Sequence, residues 1–282
     1  MPPKVEIILD SLGPSGCRLT SWVLTYQRFI HAELMTHRAF SRNSSSSRAI
    51  PQHRLREQVL NDPAMPIYWG KNQSGMQARE ELHPTEADMA KRTWLSARDE
   101  AVAWSDRLAE VGLHKQLANR LLEPWMLITT IVSATDYENW FHLRDHPDAQ
   151  PEIAWVAKEM RRIYDKATPQ TLHEGAWHLP FIREGDMEWV MEQRESSPAF
   201  GIRGMIKLSV ARCARVSYLN HDGTMDRHKD IELHDRLALS GHWSTFEHAA
   251  MALSDSSQSG NFFGWKQYRK TFSNENYGRR MS

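Results

Sequence analysis

The sequence predicts a chain that mixes helices with strands, either one large α/β or α+β domain or two intimate ones. Three observations carry this reading. The 282 residues exceed what one small domain needs. Short runs rich in β-branched residues, at 5–10 and 205–210, are bounded by turn residues as strands are. Between them lie segments with apolar residues at helical spacing, the longest over 86–111. Hydrophobic residues make up 40% and charged ones 25%, ordinary globular usage that permits a sizeable core.

Taken in order, VEIILD (5–10) reads as a buried strand punctuated by Gly13, Pro14 and Gly16. Residues 21–38 carry Trp22, Tyr26, Phe29, Ile30 and Leu34 at helical spacing, which predicts a helix ending at His37 and Arg38. The four serines at 44–47 then fall in a loop. Pro51 closes that loop at the first turn of a helix running to Leu60. Residues 61–84 are turn-rich, with Pro63, Pro66, Gly70, Gly75 and Pro84. Helices are predicted over 86–111, 117–144 and 150–164, the second of them rich in β-branched residues near 128–132. A loop over 167–180 leads to a strand at 205–210 (MIKLSV), a helix at 228–239 and a strand at 247–254 (EHAAMALS). A polar loop follows, then a basic, aromatic tail over 262–280. No fixed-period repeat and no clean domain boundary is visible, so the chain reads as a single catalytic unit.

Lys plus Arg equals Asp plus Glu at 35 each, which argues against a general nucleic-acid coat. A local basic pocket remains compatible with that balance. Two cysteines, Cys17 and Cys213, exclude a disulfide framework and a multi-cysteine zinc site. The first residues lack a signal-peptide pattern, and no apolar run approaches the roughly 18 residues that span a bilayer. The expectation is a cytoplasmic protein with no membrane partner.

Three groups of residues carry candidate chemistry. THRAFSRNSSSSRAI (36–50) places Arg38, Arg42 and Arg48 around four serines. On composition alone it is a solvated connector or a phosphorylation site. Its arginines also suit an anion cradle of guanidinium forks, hydroxyls and backbone N–H groups. GxxxxGK[ST] is absent, so phosphoryl transfer has no support. ARVSY (214–218) and GHWSTFEH (241–248) form the second group. His242 and His248 are six apart, off one helical face, and HExxH is missing, so no metal is expected. The third group is RLLEP (120–124), NWFHLR (139–144) and AQPEI (149–153), each an ordinary helix piece when taken singly.

Together these segments resemble the flavin-dependent thymidylate synthases. Thr36, His37 and Arg38 occupy that family's Arg-His-Arg triplet, and Ser41, Asn43, Ser46 and Arg48 fall at its Ser, Asn, signature Ser and Arg. ARVSY matches a family segment nearly verbatim, and GHWSTFEH is similar to Gly-His-x-Ser-Pro-Phe-Glu-His with Thr245 for Pro. In the family those two pieces precede the triplet, whereas here they follow it, so the chain reads as circularly permuted. The resemblance implies an α+β fold, with helices on a curved mixed or antiparallel sheet. It further implies homotetramers with active sites between subunits, FAD, NADPH as reductant, methylenetetrahydrofolate as co-substrate and dUMP as substrate. His37, Arg38, Asn43, Ser44, Asn139, His242 and Ser244 are thereby expected to hold the flavin. Ser46, Ser47, Arg48, Arg120 and Arg144 are expected to hold the nucleotide, with Ser46, Arg48, Arg144 and Glu33 at the reacting ring.

Three departures touch that site. Thr36 replaces the first Arg of the triplet, Ser44 replaces a Glu, and Glu33 stands where the family tends to have Gln. A carboxylate accepts from the 4-amino group of cytosine, where uracil offers an oxygen. Relatives in bacterial viruses make 5-hydroxymethyl-dCMP, water rather than hydride completing the reaction. The expected activity is therefore dCMP 5-hydroxymethylation, in a host cytoplasm if the chain is viral, with dUMP methylation to dTMP as the alternative. A non-catalytic nucleotide or single-strand binder, using the tail as a stacking surface, is the alternative of another class.

Overall fold

The computed structural model describes residues 3–196, 201–218 and 226–276. The end of the basic tail, 277–280, lies outside them. A five-stranded sheet in the order β3-β4-β2-β1-β5 forms the frame. β1 (Lys4–Leu12) and β2 (Arg18–Gln27) make an antiparallel hairpin. Its turn uses Gly16 at φ +80°, a left-handed conformation that glycine adopts without a Cβ penalty. A single helical turn, α1 (His31–Leu34), leads to β3 (Ser41–Ser44). Then come α2 (Gln52–Asn61), the 27-residue α3 (Pro84–Glu110) and the short α4 (Lys115–Ala118). β4 (Leu127–Ala134) runs antiparallel to both β2 and β3. α5 (Glu138–Arg144) and α6 (Pro151–Tyr164) follow, and β5 (Gln170–Thr171) pairs parallel with β1. The α+β class with a mixed, mainly antiparallel sheet is as expected.

Two predicted helices contain strands instead. Residues 18–27 form β2, and 127–134 form β4. Both strands are central and covered on both faces, so nearly every side chain in each is buried. A strand buried on both faces loses its period-2 signal, and its apolar residues then match a helical template by chance. The opposite error occurs at 205–210. That run lies inside α8 (Gly201–Tyr218), and Leu208, Val210, Ala211, Cys213 and Ala214 are fully buried. A helix buried nearly all round has the same continuous apolar run as a strand.

The two faces of the sheet carry different layers. Trp22, Leu24 and Tyr26 of β2 and Ile128 and Val132 of β4 pack with Trp140, Phe141, Ile153, Val156 and Met160 of α5 and α6. The opposite face meets α8 and the C-terminal segments. These are β6 (Trp177–His178), α7 (Asp186–Ser196), α9 (Arg227–Ser240), a 3-10 turn at Trp243–Glu247, β7 (Ala250–Ala252), β8 (Gln258–Ser259), β9 (Phe262–Phe263) and β10 (Trp265–Gln267). β10, β7 and β6 form a small sheet of their own. Arg212 of α8 is buried and paired with Asp186 of α7 and Asp230 of α9, which ties the three helices together.

A chain of buried polar groups runs between the layers. Gln170 donates to Ser11 Oγ (3.2 Å), whose hydroxyl meets His178 Nδ1 (2.8 Å). His178 Nε2 meets Ser21 Oγ (2.9 Å), Ser21 meets Ser133 (2.5 Å), and Ser133 meets His248 Nδ1 (2.9 Å). Burial lowers the pKa of both imidazoles to about 3, so both are neutral.

Candidate active site

α1 and the end of α5 bring the first group of site residues together. Arg144, at the C-terminus of α5, spreads its guanidinium across the 33–37 turn. Its Nε donates to His37 Nε2 (2.9 Å), its Nη1 to Glu33 Oε2 (3.0 Å) and its Nη2 to Thr36 Oγ1 (3.4 Å). Because Nε2 accepts, the ring proton of His37 sits on Nδ1. Burial first, then the charges of Arg144 and Arg42, push the His37 pKa down to about 4. The ring packs edge-on against Trp140, centroids 4.8 Å apart, and stacks on Phe40 at 5.8 Å. Thr36, in place of an arginine, donates to Glu33 O (2.7 Å) and so braces the turn from within.

Glu33 and Arg144 line a cavity of about 660 Å³. Its other walls come from Phe29, Tyr68, Trp94 and Glu152 among others. Glu152 is almost fully buried, and its carboxylate accepts from the Ile67 N–H (3.0 Å) and Gln150 Nε2 (3.0 Å). Of these walls only the 149–152 stretch was singled out in the sequence. AQPEI contains Glu152, but Tyr68 lies in the turn-rich stretch, and Trp94 reads as an ordinary core position of an amphipathic helix.

The serine tract is a pinned structure and not a floppy connector. Ser44 Oγ meets Thr130 Oγ1 (2.9 Å), and Ser45 extends the pairing with β4 through Ser45 N–Thr129 O (2.8 Å). Ser46 opens a turn closed by Ala49 N to Ser46 O (3.0 Å). Asn119 donates to the carbonyls of Ser47 (2.7 Å) and Ile50 (3.0 Å). Ser47 Oγ (2.7 Å) and Arg120 Nη1 (2.6 Å) share Glu123 Oε1 as acceptor. That makes a second group: Ser47, Arg120 and Glu123, flanked by exposed Arg48. Among the described residues no hydrogen bond or ion pair joins it to the Glu33–Arg144 group, so one chain presents the expected nucleotide residues as two clusters. Arg38 and Arg48 are both exposed and make no hydrogen bond or ion pair among the described residues.

The expected flavin residues fall on α5, on β3 and its flanking turn, and on the C-terminal 3-10 turn, and one chain does not gather them into a single group. Asn139 is exposed on α5, next to Trp140, which touches His37. Ser244 is exposed on the 3-10 turn that precedes Glu247. Gln267 Nε2 ties that turn to β3 by donating to Glu247 O (3.2 Å) and Ser41 Oγ (2.9 Å). His242 is exposed and meets Ser240 Oγ (2.8 Å). Asn43 Nδ2 donates to Cys213 O (2.8 Å), which anchors β3 to α8. Cys213 itself is fully buried, and burial pushes its thiol pKa up, far from what a nucleophilic thiolate needs.

With this geometry in place, comparison with known proteins decides the family. Residues 18–170, more than half of the chain, match the thymidylate synthase complementing protein family. The chain belongs to that family, the flavin-dependent thymidylate synthases. The matched stretch contains the 36–48 segment, Arg120, Asn139 and Arg144, whereas 214–218 and 241–248 lie beyond it. The fold is also similar to the crystal structure of the UMP/dUMP methylase PolB from Streptomyces cacaoi bound with 5-Br UMP. That likeness has a TM-score of 0.47 at 15% identity, over 58% of this chain and 89% of that one. The same methylase bound with 5-Br dUMP gives 0.46 at 15%, over 58% and 90%. No curated protein matches the chain. As a member of this family, the chain is a flavin-dependent, thymidylate synthase-like enzyme that modifies C5 of a pyrimidine nucleotide. No helix among the described residues is long and apolar enough to cross a membrane.

Proposed function

We propose that the enzyme transfers a one-carbon unit from methylenetetrahydrofolate to C5 of dCMP, with water completing a hydroxymethyl group. The observation that carries this reading is the Arg144 fan over Glu33 at the wall of the 660 Å³ cavity. Arg144 takes one oxygen of Glu33. The other is free to accept from the cytosine 4-amino group while a guanidinium N–H reaches N3. The balance of this reaction is simple. The C5–H bond breaks and its proton leaves, the methylene carbon bonds to C5, and water adds to that carbon as tetrahydrofolate departs. No net reductant is consumed. The second reading, dUMP methylation to dTMP, draws on the same arginine, because a uracil O4 accepts what Arg144 donates. It requires two further electrons, from NADPH.

What FAD supplies when bound is carriage of the one-carbon unit or of hydride, a task for which Cys213 is not available. The residues present fit that group: exposed Arg38 offers a guanidinium fork, unpartnered among the described residues, to its phosphates. His37, Asn43, Ser44, Asn139, His242 and Ser244 are the further flavin contacts. Ser46, Ser47, Arg48 and Arg120 hold the nucleotide phosphate, and Arg144 and Glu33 read the base. The separation of these nucleotide residues into two clusters supports a homotetramer in which one subunit's cluster completes its neighbour's site. Neutral His37 serves as a positioning residue that fixes the guanidinium of Arg144. The packing of α8 and the 3-10 turn at Trp243–Glu247 against β3 and β4 supports a permuted order of the family's segments.

The test is purified protein loaded with FAD and given methylenetetrahydrofolate with each nucleotide, with and without NADPH. Turnover of dCMP that needs no stoichiometric NADPH supports the proposal. Turnover of dUMP alone, matched by NADPH oxidation, would establish the second reading instead.

A further inference from the structure

A second cavity, of about 610 Å³, lies beyond the serine tract at Ala49. Its walls carry Lys115, Arg215, Lys229 and Arg236, with Leu233 as an apolar patch and Glu232 as the only acid among the described residues. Four cations against one carboxylate give the described lining a formal charge of +3, partly offset by Asp230 beside Arg215 and Asp226 beside Lys229. Three of these cations also have partners inside the fold, and Arg236 has none among the described residues. Lys115 spends one N–H on Ala49 O (2.9 Å). Arg215 donates from Nε to buried Asp230 (2.6 Å), which orients the guanidinium. Lys229 is exposed and 3.6 Å from Asp226. Arg236 is exposed and has no side-chain partner among the described residues.

The shape of the array selects the ligand. Lys229, Leu233 and Arg236 stand at i, i+4 and i+7 on one face of α9. Seven residues at about 1.5 Å each put the two cations roughly 10 Å apart along the helix. A single phosphate cannot reach both ends of such a row, whereas a linear chain of spaced anions can. The row begins at Ala49, next to Arg48 and three residues from Ser46, so it continues outward from the proposed nucleotide cluster. Four cations in a protein of zero net charge make a short track, too small for the phosphate contacts that sustain nucleic-acid binding.

From this we infer that the cavity binds the oligo-γ-glutamyl tail of the folate co-substrate, each glutamyl carboxylate meeting one cation. The inference rests on the proposed folate reaction and adds which form of folate the enzyme prefers.

The experiment compares mono- and pentaglutamyl methylenetetrahydrofolate on the FAD-loaded enzyme and on the Lys229→Ala/Arg236→Ala double variant. Both substitutions are at exposed positions, and circular dichroism checks that the variant folds. Wild type is expected to show a KM for the pentaglutamate roughly ten-fold below that for the monoglutamate, at two- to five-fold per exposed cation pair. That advantage should shrink as salt rises. The variant should lose most of it, with the monoglutamate kcat and the nucleotide KM unchanged. Equal KM values in wild type, or an undiminished advantage in the variant, would overturn the inference. A raised nucleotide KM with both folates would assign the cavity to the nucleotide phosphate and overturn it too. Displacement of pentaglutamate by a short oligodeoxynucleotide of higher affinity would overturn it in favour of single strands. If no folate is turned over at all, the proposed reaction fails. Binding of free penta-γ-glutamate to wild type and not to the variant would then still uphold the cavity, and its absence would end it.

Discussion

Two histidine-centred clusters lie on opposite faces of the same sheet and have opposite character. His37 sits near the surface, held by Arg144, in a turn that also carries Glu33 and exposed Arg38. His178 and His248 sit fully buried between Ser11, Ser21 and Ser133, with no charged partner. All three imidazoles are held neutral, the buried pair chiefly by burial and His37 by burial together with the charges of Arg144 and Arg42. The difference is what surrounds them. The buried chain satisfies nearly all its own hydrogen bonds and joins two layers, so it belongs to stability. The surface cluster keeps guanidinium and carboxylate groups open towards a cavity, so it belongs to binding.

The sharpest way to break this contrast is a pair of substitutions. Arg144→Ala should lower kcat/KM about 10²- to 10³-fold, because it removes both a base contact and the brace on Glu33. Its thermal midpoint should stay close to wild type. His178→Ala should do the reverse. It leaves the Ser11 and Ser21 hydroxyls and a cavity buried, at a cost of about 3 kcal/mol. Its melting temperature should fall sharply, while specific activity of the folded fraction survives. Measuring activity and denaturant unfolding on both proteins decides it, and matching losses in both would remove the distinction.

pH sharpens the same comparison. The folded-state pKa values of His178 and His248 are depressed to about 3, below the roughly 6.5 of an unfolded chain. The unfolded state therefore binds more protons in that window, so the pair stabilises above pH 6.5 and the stability is lost as pH falls towards 3. Two protons correspond to a slope of about 2–3 kcal/mol per pH unit near pH 5. Melting temperatures from pH 7 to 4.5 should fall accordingly, and more gently in a His248→Gln variant. A flat profile would contradict the burial argument.

The smallest expected effect concerns the base. Glu33→Gln keeps the length of the side chain and exchanges an acceptor for a group that donates and accepts. The ratio of kcat/KM values for dCMP over dUMP should fall by roughly ten-fold. An unchanged ratio would show that Glu33 does not read the base edge.

Much of this architecture was legible in the residues, and the failures have a common cause. β1, α2, α3, α6 and α9 show one apolar face or clear end signals, and the sequence places each within a few residues. β2, β4 and α8 are covered on all sides, which erases the periodicity that separates strand from helix. Within the site, the triplet spacing and the Asn139–Arg144 interval single out two segments that the structure brings into contact through Arg144 and His37. The pairing of Glu33 with Arg144 was not legible, because residues 111 positions apart meet only once α5 packs beside α1. Nor was the sharing of Glu123 by Ser47 and Arg120. The cation row of α9 had a visible signal in Lys229, Leu233 and Arg236 at i, i+4 and i+7, but it needed Lys115 and Arg215 opposite to become a cavity.

The most direct test of the account is the mass of the nucleotide formed when FAD-loaded enzyme meets dCMP and methylenetetrahydrofolate. The account predicts a product heavier than dCMP by one carbon, two hydrogens and one oxygen. A product formed only from dUMP, heavier by one carbon and two hydrogens without the oxygen, would contradict it.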